Sequence, residues 1–266
     1  MTKRRPVWRE WLFLAGLALI PVLMVTVDGP ISAAMRDFDG NAKAIVDMLA
    51  EAGDSKHSLV PLAIAVGVLM LFYFLDAAAV RARIFAWLAG ACGFVFVSIA
   101  YSGILINLMK IAIGRTRPHV VETLSWPEFH PLTVTANFHS FPSGHANTVF
   151  AIALAVGFLV PALRRYLLVL AAGLAFCRVL QFRHFLSDSL AGAMLAVATT
   201  FWLRDVFARR GIVFQLGKDG RISLTAPGRL LRRQIRRGFG AGQRRLVRKS
   251  EGRAPAAESG ATRAAQ

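Results

Sequence analysis

Six long apolar stretches constrain this chain more than any other feature: Trp11–Val27, Ser58–Leu75, Ile84–Met109, Ala146–Leu163, Tyr166–Val179 and Ser187–Leu203. A helix needs about 20 apolar residues to cross about 30 Å of hydrocarbon at ~1.5 Å per residue, and most of the six approach or exceed that. With 55% hydrophobic and only 18% charged residues among 266, the chain also carries more apolar side chain than a water-soluble core calls for. It therefore reads as an all-α polytopic membrane protein with six transmembrane helices in a bundle. The fifth stretch is the shortest, and it is kept because dropping it would put the flanking polar groups on the wrong sides of the bilayer.

Basic residues set the orientation. With six spans, the N-terminal Lys3, Arg4, Arg5 and Arg9, the Arg81/Arg83 loop, the Arg164–Arg165 loop and everything after Arg204 share one side. The positive-inside preference makes that side the cytoplasm, which places the protein in a bacterial inner membrane. Ser32-Ala33-Ala34 could mark a cleaved signal peptide, but the first stretch is long for one and Pro30 crowds the cleavage zone, so an uncleaved anchor is the better reading. Three regions follow: 1–57, a first span and a periplasmic amphipathic loop; 58–204, the helical core; and 205–266, a basic cytoplasmic tail.

The loop 28–57 spaces its apolar residues as one or two helices would, lying on the outer surface and packing over the bundle rather than binding substrate. From Arg204 onward there are 16 Lys/Arg against 4 Asp/Glu, so most of the net charge of +17 lies there. Residues 213–224 alternate apolar and polar around a Gly-bounded turn, as a hairpin does. Beyond Pro227, Leu231, Ile235 and Phe239 recur among arginines, as in a basic helix on anionic lipid; nucleic acid is the weaker partner, because a basic tail beside a membrane already satisfies the positive-inside preference. Cys92 and Cys177 lie at different depths and are not expected to pair.

Against that topology, Lys110, Arg115, Arg117, Arg178 and Arg183 fall on the outer face, where cations are disfavoured and need an anionic partner. Lys110 and Arg117 are spaced to share one face at the outer end of helix three, with Asn107 extending it and Pro118 ending the helix. In Phe141-Pro-Ser-Gly-His-Ala146, Ser143 is a favoured N-cap, so the amides near Ser143, Gly144 and His145 form a helix N-terminus that accepts anions. Taken alone this could be a capped helix with an interfacial histidine. His184 and Asp188 stand four apart, so the carboxylate could hold one imidazole nitrogen as N–H and leave the other free as a nucleophile; a His/Asp pair capping helix six is an equal alternative. Together the blocks describe a cationic pocket with two histidines and one orienting carboxylate, and its ligand is a phosphate group. No carboxylate or cysteine cluster suits a metal, and none is expected.

These residues resemble a family. Lys110…Arg117-Pro118, Pro142-Ser143-Gly144-His145 and Arg178…His184…Asp188 match, in order, the three motifs of the type 2 phosphatidic acid phosphatase superfamily, which also contains the vanadium haloperoxidases. Cys177 stands where the family usually has Ser. The resemblance covers roughly residues 58–204 and implies that His184 attacks phosphorus to form a phosphohistidine, with Asp188 orienting it. It further implies that His145 protonates the leaving oxygen and then activates water, while Lys110, Arg117, Arg178 and the amides at Ser143 and Gly144 hold the phosphate oxygens, without cofactor or metal. A pocket open sideways to lipid suits a lipid phosphate or diphosphate: undecaprenyl diphosphate, lipid A, phosphatidylglycerophosphate or phosphatidic acid. A phosphotransferase with the same phosphohistidine is the alternative. A haloperoxidase fits poorly because that branch resembles soluble proteins, and a transporter because the spans hold almost no ionisable residues. Trp126, Phe129, His130, Phe138 and His139 could grip a substrate, although anchoring their loop at the interface is the stronger reading.

Overall fold

The structure, a computed structural model, describes residues 8–229 apart from 39, 40, 52, 77, 122 and 125. Its helices are α1 (Trp8–Thr26), α2 (Asp28–Met35), α3 (Asn41–Glu51), α4 (Ser55–Leu75), α5 (Ala79–Ile113), α6 (Gly144–Leu159), α7 (Arg164–Leu180) and α8 (Leu186–Arg209), followed by strands β1 (Phe214–Leu216) and β2 (Ile222–Leu224). Every apolar stretch of the sequence lies largely on a helix, and the 28–57 loop supplies two more, α2 and α3. Among the described residues, Ala42–Leu75, α5 and α8 are long and apolar enough to cross a membrane; α1 and α2, bent by 58° between them, make a fourth if they count as one span. α6 is apolar but has only 16 residues. On α4 no residue is buried, and Ile64 and Phe74 are 61% and 73% exposed, so its surface needs lipid as solvent. The chain is a membrane protein.

The bundle packs through small residues. Ala151 and Ala155 of α6 and Ala196 of α8 are fully buried around Phe94 and Ile99 of α5. Such side chains let helix backbones approach closely, which is where packing contacts accumulate when lipid removes the hydrophobic drive. The expected hairpin forms, with Phe214 opposite Leu224 in an antiparallel pair. It is not an appendage: Val213, Phe214 and Leu224 join the same cluster, and the Phe214 ring meets Phe94 edge-on at 5.0 Å. The division expected at residue 204 falls inside α8, and the compact unit runs on to Thr225. The amphipathic helix expected around Leu231, Ile235 and Phe239 lies outside the described residues.

One end of the bundle gathers the C-terminal ends of α5 and α7 with the N-terminal ends of α6 and α8. α5 stops at Gly114, whose φ of 65° is left-handed backbone that glycine adopts without a Cβ penalty, and whose N–H donates back to the Lys110 carbonyl at 2.9 Å. The helix therefore ends before Arg115, earlier than Pro118 implied. The following loop is pinned to itself: Thr116 N–H donates to the Glu128 carbonyl at 3.0 Å and Arg117 N–H to the Asn137 carbonyl at 2.9 Å. Ser143 N–H donates to the Asp188 carbonyl at 2.9 Å, which joins the starts of α6 and α8.

Candidate active site

At this end lies a cavity of about 870 Å³, into which Lys110, Arg117, Gly144, His145, Arg178 and His184 all project. Three blocks far apart in sequence thus meet at one concave surface. Lys110 reaches over the start of α6, its Nζ 3.7 Å from where a Gly144 side chain would begin. Ser143 and Asp188 are fully buried just behind this wall. Ser143 caps α6 by accepting the Ala146 N–H, at 3.4 Å. Arg117 is not on a helix face, as its spacing from Lys110 had suggested, but on the loop beyond Gly114. Burial first, and then the neighbouring Arg183, lower its pKa from the ordinary guanidinium value; the same causes, desolvation followed by Arg183 and Arg117, lower that of His119.

The His184/Asp188 pair differs from its expected form. His184 Nδ1 is 2.8 Å from the Ser140 carbonyl oxygen and 3.7 Å from Asp188 Oδ2, too long for a hydrogen bond. The carbonyl can only accept, so Nδ1 carries the proton and Nε2 is left with its lone pair. Asp188 acts one step back, accepting from the Ser140 hydroxyl at 2.5 Å and from Phe185 N–H at 2.9 Å through Oδ2. The physical reason is that α8 begins only at Leu186, so His184 precedes the helix and the one-turn relationship between residues 184 and 188 does not apply. Burial pushes the His184 imidazole down to about 4 although the Asp188 carboxylate opposes the shift, so the ring is neutral at pH 7.

Asp188 is in turn held by Arg115, whose Nη1 donates to Oδ1 at 2.6 Å and to Ser187 Oγ at 2.7 Å. The other end of the same guanidinium donates to Asp28 Oδ2 of α2 at 2.9 Å, and its face lies over the Phe185 ring at 4.1 Å. Asp28 also accepts from the Ser187 N–H at 3.0 Å and from the Ser187 hydroxyl, capping α8 from outside. Arg115, Asp28 and Asp188 are each at most 1% exposed. This chain of pairs was not identified in the sequence. Its signals were Arg115, an outer-face cation in need of an anionic partner, and Asp28, a lone carboxylate at the edge of an apolar run, which demands a buried one.

The cavity has a second wall, on the segment whose spacing suggested mere packing over the bundle. Asp47 and Glu51 of α3, with Gly53 and Asp54 of the turn before α4, line the same cavity as the cations. Gly53 lies directly against His145, whose Nε2 is buried without a hydrogen-bond partner; a Cβ on Gly53 would overlap that nitrogen. Cys177 is buried against Val46 and Ala50 of α3, which gives an apolar reason for Cys at that position. Trp126, Phe129, His130, Phe138 and His139 do not line the cavity, and Trp126 is 67% exposed.

With a cationic, histidine-bearing cavity on the ends of buried helices, comparison with known proteins identifies its class. Residues 91–212 match the sequence model of the PAP2 superfamily. The chain belongs to that family and is a phosphatase. It is 30% identical over 221 residues to a protein named lipid A 1-phosphatase from Rhizobium etli, covering 80% of this chain and 90% of the relative. A second protein of that name, from Rhizobium johnstonii, is 31% identical over 221 residues, covering 80% and 86%. The fold resembles the transmembrane PAP2-type phosphatidylglycerolphosphate phosphatase of Bacillus subtilis, with TM-score 0.52 and 20% identity over 77% of this chain and 98% of that one.

Proposed function

We propose that the protein removes phosphate from a membrane lipid at the periplasmic face of a bacterial inner membrane, with the 1-phosphate of lipid A as its substrate. The observation that carries a lipid substrate is the mixed lining of the cavity. The cations and both histidines share it with Leu59 of α4 and with Ile99, Ala100, Gly103 and Ile104 of α5. Ile104 is 60% exposed on the outer surface, so the cavity opens sideways to where acyl chains lie. The choice of lipid A rests on the two Rhizobium relatives; the periplasmic side rests on the positive-inside placement of the basic loops, with the six apolar stretches of the sequence read as spans.

In the proposed reaction the lone pair on His184 Nε2 attacks phosphorus as the bond to the lipid oxygen breaks, and His145 donates a proton to that oxygen. The ring bonded to phosphorus is cationic. Its Nδ1–H stays on the Ser140 carbonyl, and the Asp188 carboxylate at 3.7 Å stabilises the charge without taking the proton. His145, now a base, removes a proton from water, water oxygen replaces the histidine nitrogen on phosphorus, and inorganic phosphate leaves. Lys110, Arg117, Arg178 and the free amides at Gly144 and His145 face the equatorial oxygens, where charge gathers. The Ser143 amide, expected to hold a phosphate oxygen, instead donates to the Asp188 carbonyl, so Ser143 supports the other amides by capping. These side chains supply the positive charge the transfer calls for, so the proposal needs no metal.

Release of phosphate by purified protein from lipid A, undecaprenyl diphosphate, phosphatidylglycerophosphate and phosphatidic acid, with EDTA present, tests this. Lipid A should turn over fastest, EDTA should not slow it, and His184→Ala should abolish turnover while the protein stays folded. A Mg²⁺ requirement would remove the metal-free reading, and labelled phosphate appearing on a second lipid would replace hydrolysis by transfer.

A further inference from the structure

Arg178 lies in the last turn of α7, and its Nη1 donates to Gln181 Oε1 at 2.7 Å. The amide nitrogen of the same glutamine donates to Asp47 Oδ1 of α3 at 2.6 Å. Only one amide orientation serves both neighbours, because a guanidinium can only donate and a carboxylate can only accept. Gln181 is thereby fixed at both ends, and both it and Asp47 line the cavity that Arg178 enters. A carboxylate directly on Arg178 would compete with phosphate for the guanidinium. A neutral amide holds the guanidinium in place and leaves its charge available, and the negative charge that orients the amide is kept one side chain further back.

We propose that Gln181 and Asp47 are a positioning pair that holds the Arg178 guanidinium in its phosphate-binding pose. This rests on the reading of Arg178 as a phosphate ligand. The packing of α3 anchors the pair, because Val46, directly before Asp47, and Ala50, one turn after it, bury Cys177 one residue before Arg178. α3 lies outside residues 91–212, so this part of the phosphate site is built by chain that the family match does not reach.

The pair makes a prediction whose sign separates positioning from simple electrostatics. Asp47→Ala removes a negative charge from the cavity, which by Coulomb attraction alone would tighten binding of an anion. If Asp47 positions Arg178, the same substitution weakens binding instead. Asp47→Asn also removes the charge but keeps an oxygen that can accept from Gln181.

The probe is orthovanadate, a phosphate-like oxyanion, read as its inhibition constant against lipid phosphate turnover by the full-length protein in detergent. Gln181→Met, which keeps the side-chain length without its hydrogen bonds, should weaken inhibition by about tenfold, the loss of one hydrogen bond to a charged group. Asp47→Ala should weaken it several-fold and Asp47→Asn should stay at or below the wild-type constant. The double variant should be no worse than Gln181→Met, because the residues act in series. Tightening by both Asp47 variants, or losses that multiply in the double variant, would overturn the pair. Arg178→Ala is the separate control: if it leaves vanadate inhibition unchanged, the reading of Arg178 has failed, whereas its loss with no effect of Gln181→Met rejects only the positioning role.

Discussion

Replacing Asp28 with alanine tests the chain of buried charges behind His184. The carboxylate accepts three donors, namely Arg115 Nη2 at 2.9 Å, Ser187 N–H at 3.0 Å and the Ser187 hydroxyl, and nothing at 1% exposure can hydrate them afterwards. Breaking a buried ion pair by removing one partner costs about 3–5 kcal/mol, and an orphaned buried amide about 1–3 kcal/mol. Arg115 keeps Asp188, so the bottom of the combined range of about 4–8 kcal/mol applies, about 4 kcal/mol. At roughly 2–4 °C per kcal/mol for a chain of this size, the melting temperature should fall by about 8–16 °C. Thermal unfolding followed by tryptophan fluorescence, in one detergent at pH 7, measures it. Asp28→Asn keeps one acceptor oxygen and should lose about half as much. Asp76→Ala breaks a surface pair in which Arg81 is 70% exposed, together with a hydrogen bond from Ala78 N–H, and should lower the melting temperature far less. Should Asp28→Ala melt within about 2 °C of wild type, or no lower than Asp76→Ala, the buried network does not hold α2 and α8 together.

Two further outcomes are expected. Gly53→Ala would drive a Cβ into His145 Nε2, so the ring or the turn must move; turnover should drop at least about tenfold with the fold retained, and wild-type turnover would show that His145 does not work from this position. For pH, His184 has a folded pKa of about 4 against about 6.5 unfolded, so the unfolded state binds the extra proton between those values. Stability contributed by the neutral ring is complete above about pH 6.5 and is lost as pH falls toward 4; melting curves across that window should slope downward into acid for wild type and less so for His184→Ala, and equal slopes would refute the burial effect.

The cavity residues were legible because each is a chemically distinctive side chain at a fixed spacing, and Lys110, His145, Arg178 and His184 all arrive where the motifs put them. What failed to show in sequence was the support behind them. Spacing suggested that Asp188 touches His184, but the helix starts two residues after the histidine, and the true partner is the backbone carbonyl of Ser140. Every residue has a carbonyl, so no residue type marks that role. Asp28 and Arg115 meet across 87 positions through the bend between α1 and α2, which apolar periodicity does not encode. The role of α3 is hidden for a related reason: an amphipathic stripe reveals which face is apolar, not that Asp47 and Glu51 line a cavity.

The shortness of α6 bears on where the chemistry takes place. Sixteen residues make a rod of about 24 Å, several ångströms less than the hydrocarbon it would have to cross. Were its far end at the opposite interface, Gly144 and His145 would sit beneath the lipid headgroups instead of standing proud of them. A lipid phosphate bound at His184 would then be drawn down to that depth while its acyl chains kept their place in the leaflet, and a thicker bilayer would deepen the descent.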